Sequence, residues 1–109
     1  MPFIDFNNLK EVEIIPGYKA SFIHTGNYTL SYWNIEAGAE IPEHPQDHHK
    51  VSMVIKGKFK ITIDGQTRIL EKGMVAIIPP DTLHSAKAIT DCEVTDIFYP
   101  EKEEYKFEK

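Results

Sequence analysis

The sequence predicts a single all-β domain, on three observations. Single proline and glycine residues punctuate the chain roughly every eight to ten positions, the turn rhythm of a barrel or sandwich. Apolar and polar residues alternate with a period of two, which puts one face of a strand in the core and the other in water. No stretch sustains the 3.6-residue period of an amphipathic helix. At 109 residues, 41% hydrophobic and 27% charged, the chain is one domain long and has the apolar content to bury a core.

The elements follow in order. A helical turn near Asn7 to Glu11 is the only helical candidate. Ser21 to Thr25 and Tyr28 to Ile35 are rich in β-branched and aromatic residues and read as strands. Gly26-Asn27 between them reads as a tight hairpin, because both residues tolerate positive φ. His44 to Lys50 reads as an extended loop entering a strand over 50–56. Phe59, Ile61 and Ile63 alternate with Lys58, Lys60 and Thr62 as a half-wet strand. Asp64-Gly65 is the strongest short hairpin signal in the chain, and Gln66 to Leu70 returns from it. After a turn at Glu71-Lys72-Gly73, the apolar run Met74 to Ile78 reads as a strand buried on both faces. Pro79-Pro80-Asp81 stops it, and weaker strands follow at 84–89 and 92–99. One domain over 1–109 is expected, with its core at about 30–99, an N-terminal strand extension and a polar, solvated tail over 100–109.

Charge and composition exclude several function classes. Twelve Lys and Arg against 17 Asp and Glu leave a net charge of −5, which is the wrong sign for a broad nucleic-acid binder. Lys56, Lys58 and Lys60 therefore read as a wet face. No apolar run approaches the roughly 20 residues of a membrane helix. The first residues, Met-Pro-Phe-Ile-Asp-Phe, carry no basic and apolar signal pattern, and the lone Cys92 has no internal disulfide partner. A reducing, cytoplasmic setting is the expectation. Cys92 itself reads as a small core residue. There is no phosphate-cradling glycine loop and no Gly-x-Ser-x-Gly elbow.

Four of the five histidines fall in two segments, His44, His48 and His49 in one and His84 in the other. On an extended chain, positions 44, 46, 48 and 50 tend to share a face. A histidine from a distant strand could meet them inside a barrel, the usual way such folds assemble an imidazole metal site. The ordinary alternative is that His48 and His49 are solvated loop residues. His24, in a separate strand, reads as structural.

Gly38, His44, Gln46, Lys50 and Gly57 are spaced like the first motif of the cupin superfamily. Gly73, Pro79, Asp81 and His84 are spaced like its second. The resemblance spans at least residues 30–99 and implies a double-stranded β-helix barrel. Within that superfamily the chain most resembles the small pectin-degradation cupins. Their C-terminal pattern is matched by Asp96-Ile97-Phe98-Tyr99-Pro100, running on to Tyr105. The resemblance implies a barrel that holds a divalent metal and helps unsaturated uronic acids rearrange to a linear keto form. Asp96 and Phe98 match positions implicated beside the metal, and Lys102 stands where that family has an arginine. On this view Asp96 moves protons, Lys102 holds the substrate carboxylate, and Lys50 and Phe98 contact the ligand. Pairing into a homodimer through an exposed sheet is also implied.

The chain departs from the pattern at two of four metal positions. His44 and His84 are kept, Gln46 replaces a histidine, and Lys50 replaces a glutamine or glutamate. A glutamine carbonyl can still ligate a cation, whereas an ammonium has no lone pair to give. Two outcomes stay open. His48, or its neighbour His49, re-registers to complete a site for Zn, Ni, Mn or Fe with His44, Gln46 and His84. Alternatively there is no cofactor, and Lys50 supplies the positive charge in a non-catalytic pocket for a small carboxylate or sugar acid. A third reading, a dioxygenase with two histidines and one carboxylate, would need Asp47 or Glu43 as the ligand. Tyr28, Tyr32, Trp33, Met53, Phe59 and Phe98 are candidates for cavity or packing faces. Tyr32 and Trp33 must point to opposite sides.

Overall fold

The computed structural model describes residues 2–107. Among these residues, ten strands form two antiparallel sheets. They are β1 (Val12–Ile15), β2 (Tyr18–His24), β3 (Thr29–Ile35), β4 (Glu40–His44), β5 (His49–Lys56), β6 (Phe59–Ile63), β7 (Gln66–Leu70), β8 (Val75–Ile78), β9 (His84–Ala88) and β10 (Cys92–Tyr99). One sheet runs β1-β2-β3-β10-β5-β8 and the other β4-β9-β6-β7. The two inner faces enclose the core, in which Tyr18, Trp33, Val54, Phe59, Ile78 and Val94 are buried. Each such side chain contributes about 1.5–3 kcal/mol relative to exposure, which suffices to hold two short sheets together.

Local chemistry sets the turns. Asp64 and Gly65 sit at φ of 49° and 81°, both left-handed, and Ile63 pairs directly with Gln66. That is the two-residue hairpin the Asp-Gly pair favours. The Gly26-Asn27 hairpin also forms, with a four-residue loop between His24 and Thr29, which pair across it. Gly57 ends β5 at φ 91°, and a Cβ there would lie 2.2 Å from the Asp91 carbonyl oxygen. Only glycine lets the β5–β6 turn pass that backbone.

Four expectations need correction. The helical turn is a 3-10 turn at Phe6–Asn8, capped by the Asp5 carboxylate on the Asn7 N–H, and Val12 already belongs to a strand. Part of the metal-motif loop is itself a strand, β4, which tolerates Pro42 because it is a sheet edge. The run at 74–78 is not buried on both faces. Val75 and Ile77 point outward, Ile77 with 72% of its surface exposed. The tail is not solvated throughout. Residues after Tyr99 turn through a cis Tyr99-Pro100 bond into a 3-10 turn at Glu103–Tyr105, and Lys102 is only 8% exposed. The part of the expected tail at residues 108–109 lies outside the described residues. Cys92 is buried as a core residue, and burial pushes its thiol pKa up.

Candidate functional site

A cavity of about 260 Å³ lies between the sheets. A larger, shallow groove of about 680 Å³ follows the free edges of β7 and β8, but it brings no cluster of histidines or lysines together. The enclosed cavity does. His44, Gln46, Lys50, His84, Asp96, Phe98 and Lys102 all line it.

The two imidazoles come from facing strands. His44 at the end of β4 pairs directly with His84 at the start of β9, and their ring centroids are 4.4 Å apart. His44 Nδ1 donates to the Pro42 carbonyl at 2.9 Å and His84 Nδ1 to the Thr82 carbonyl at 3.2 Å. Those bonds leave Nε2 of each ring as the lone-pair nitrogen. His84 Nε2 is buried with no partner among the described residues. Burial first, then the Lys50 charge, with smaller contributions from His44 and Lys102 against the opposing Thr82 bond, together push the His84 pKa down to about 4. His84 is therefore a neutral acceptor at physiological pH.

Register decides which charges face inward. Phe98 pairs with Lys50 and Asp96 with Ser52 across β10 and β5, and alternate residues share a face. Lys50 Nζ lies 3.6 Å from Asp96 Oδ2. Asp96 Oδ1 is buried without a partner among the described residues. Lys102 Nζ donates to Gln46 Oε1 at 3.2 Å, and the buried Gln46 amide nitrogen has no partner among the described residues. Both ammoniums approach the Phe98 ring, Lys50 at 5.5 Å and Lys102 at 5.1 Å from its centre. Desolvation lowers the Lys102 pKa and Lys50 adds to the effect, while Glu104, Asp47 and Asp96 oppose it.

His48 is not among the lining residues. Its Nε2 faces the Glu101 carbonyl at 3.1 Å and its Nδ1 faces Asp47 Oδ1 at 2.8 Å, so both nitrogens are engaged outside the cavity. His49 is exposed at the start of β5, beside Tyr99. Neither supplies a third imidazole in this arrangement. Trp33, Phe59 and Phe98 line the cavity, whereas Tyr28 and Met53 point outward. Tyr18, Ser52 and Tyr105 also line it and were not singled out in the sequence. Alternation from Asp96 to Phe98 did not bear on them, since they sit on other elements.

The donor set does not fit a resident divalent cation at the four motif positions. Lys50 places an ammonium where a ligand oxygen belongs, and the Gln46 oxygen is taken by Lys102. No group of three or more His, Cys, Asp or Glu with metal-site geometry occurs among the described residues. The unpartnered Gln46, His84 and Asp96 atoms instead offer one donor and two acceptors to a small polar ligand.

Comparison with known proteins agrees with the architecture. The cupin domain family matches residues 31–98, well over half of the chain. An RmlC-like cupin from Shewanella frigidimarina superposes with a TM-score of 0.90 at 25% identity, covering 96% of each chain. KdgF from a Halomonas species gives 0.89 at 24%, covering 95% of this chain and 97% of its own. Salicylate 1,2-dioxygenase from Pseudoaminobacter salicylatoxidans, solved with gentisate, gives 0.75 at 20% identity, covering 80% of this chain but 26% of the enzyme. Among curated proteins none matches the sequence. The matched domain, the paired sheets and the inward-facing histidines together make this chain a member of the cupin family.

Proposed function

We propose that the barrel binds a small sugar acid through its carboxylate, with buried ammoniums in place of a metal ion. One observation carries this reading. Two lysines and one carboxylate line the cavity, which leaves one positive charge over inside it, since Lys102 meets its other carboxylate, Glu104 at 3.8 Å, only through a side chain that is largely exposed. Buried unpaired charge is costly unless an opposite charge meets it. A monoanion cancels it, whereas a divalent cation would compound it. A volume of about 260 Å³ accommodates a monosaccharide and little more.

Lys50 and Lys102 would take the carboxylate, with the flat sugar face on Phe98. Asp96 Oδ1 and His84 Nε2 are the free acceptors that can meet hydroxyl protons. The resemblance to uronate-linearising cupins extends this to catalysis. Rearrangement of an unsaturated uronate to a keto form requires one group to take a hydroxyl proton and one to deliver a proton to carbon. Asp96, with one oxygen on Lys50 and one free, suits the shuttle.

A second reading keeps a metal on His44 and His84 alone, favoured by the backbone carbonyls that aim both Nε2 atoms. Pairing of two copies through the outer face of the six-stranded sheet belongs to the same proposal. Ile77, Val51, Ile97, Leu30 and Ile23 form one continuous cross-strand apolar row there.

Calorimetric titration tests the main reading. D-Galacturonate is expected to bind and neutral D-galactose not to, with Lys102→Met weakening the acid by about tenfold or more. Equal binding of acid and neutral sugar, or of neither, overturns it.

A further inference from the structure

Of the three histidines outside the cavity, His24 and His48 face the segment that follows β10. We propose that His24, acting through Thr29 and Tyr105, is a positioning residue that holds this C-terminal strap so that the Lys102 ammonium enters the cavity. The inference deepens the carboxylate reading and rests on it for its functional consequence.

The contacts form a chain across three elements. His24 Nε2 donates to the Tyr105 carbonyl at 3.1 Å. Its Nδ1 then accepts from the Thr29 hydroxyl at 2.9 Å. Thr29 Oγ1 in turn accepts the Lys102 backbone N–H at 2.8 Å. Thr29 is fully buried, so this polar relay is shielded from competing water. The His24 ring lies nearly parallel to Phe22, which stacks on Tyr105 at 4.5 Å between centroids. His48 grips the strap one residue before Lys102, through the Glu101 carbonyl.

The strap needs such anchors. It is short, contains a single 3-10 turn, and carries Glu101, Lys102, Glu103, Glu104 and Lys106, a composition that water alone would solvate. Yet it delivers two cavity walls, Lys102 and Tyr105. Lys102 has three rotatable N–H donors on a flexible stem, and its backbone placement is what brings them within reach of Gln46 Oε1 and the Phe98 ring. A histidine suits the His24 position because one neutral ring both donates and accepts.

The test reads Lys102 directly, in the protein without ligand. Acetylation of each lysine by an N-hydroxysuccinimide ester is followed by peptide mass mapping in the parent, His24→Ala and His24→Gln. In His24→Ala, acetylation of Lys102 should rise by about tenfold, the scale of one lost hydrogen bond, while Lys50 keeps the parent rate. His24→Gln, whose amide can still donate to Tyr105, should restore protection. Affinity for D-galacturonate should fall in His24→Ala and recover in His24→Gln. If Lys50 and Lys102 become reactive together, or neither changes, the positioning role is wrong. Should His24→Ala fail to fold, Thr29→Val, which removes the acceptor of the Lys102 amide at equal volume, carries the same comparison. If the parent binds no D-galacturonate while the Lys102 contrast holds, the strap anchor stands and the carboxylate reading falls.

Discussion

Lys50 Nζ and Asp96 Oδ2 stand 3.6 Å apart inside the barrel, on neighbouring strands, and Asp96 keeps its second oxygen free. The pair is well buried, so removing either partner leaves the other's charge without its neighbour.

Lys50→Gln should therefore destabilise the fold by about 3 kcal/mol, because it strands a buried carboxylate. Denaturant unfolding measures the loss. The same variant returns an amide oxygen to the metal position, so it should take up Ni or Mn more readily than the parent in an equilibrium loading assay. Unchanged stability would mean that Asp96 has another partner.

His84 gives a pH dependence whose sign follows from its lowered pKa. Its folded value is about 4, against about 6.5 unfolded. Below pH 6.5 the unfolded state binds the proton that the folded state refuses. Stability from this group is complete above about pH 6.5 and is lost as pH falls towards 4, by about 3 kcal/mol in all. His84→Gln should flatten the difference between unfolding free energies at pH 7 and pH 4.5. A parallel pH profile in parent and variant would contradict the burial argument.

Metal content separates the two readings of the cavity. Protein purified without a polyhistidine tag should carry far less than one equivalent of Zn, Ni, Mn or Fe by elemental analysis, before and after reloading. About one equivalent, lost in His84→Ala, would favour the two-histidine metal site instead.

The apolar row on the outer sheet predicts association. Light scattering should give a dimer, and Ile77→Lys with Ile97→Lys should convert it to a folded monomer. A monomeric parent would leave that row unpartnered in solution.

The legibility of this protein followed the range of the forces involved. Asp64-Gly65 could be read because its turn depends on two residues and their φ preferences alone. The run at 74–78 could not, since an apolar strand looks the same whether its second face meets core or remains open, as Val75 and Ile77 do. Lys50 was ambiguous because one step of register reverses a side chain, and only pairing with Phe98 on β10 turned it inward. Lys102 was legible only through the family resemblance. Its neighbours are Glu and Lys, and nothing local announces that Phe98 and Tyr105 will present ring faces to it. His44 and His84 were legible by spacing, whereas the outward turn of His48 depended on the distant Glu101 carbonyl.

On the proposed carboxylate reading, the ammonium at position 50 also changes what the protein requires from its surroundings. A metal centre must be delivered, is drawn off by chelators, and admits the wrong ion when supplies shift. A charge borne on a side chain arrives with translation. Starvation for transition metals does not strip it, and excess copper or zinc cannot displace it. On that reading the barrel's positive centre is encoded in the chain itself.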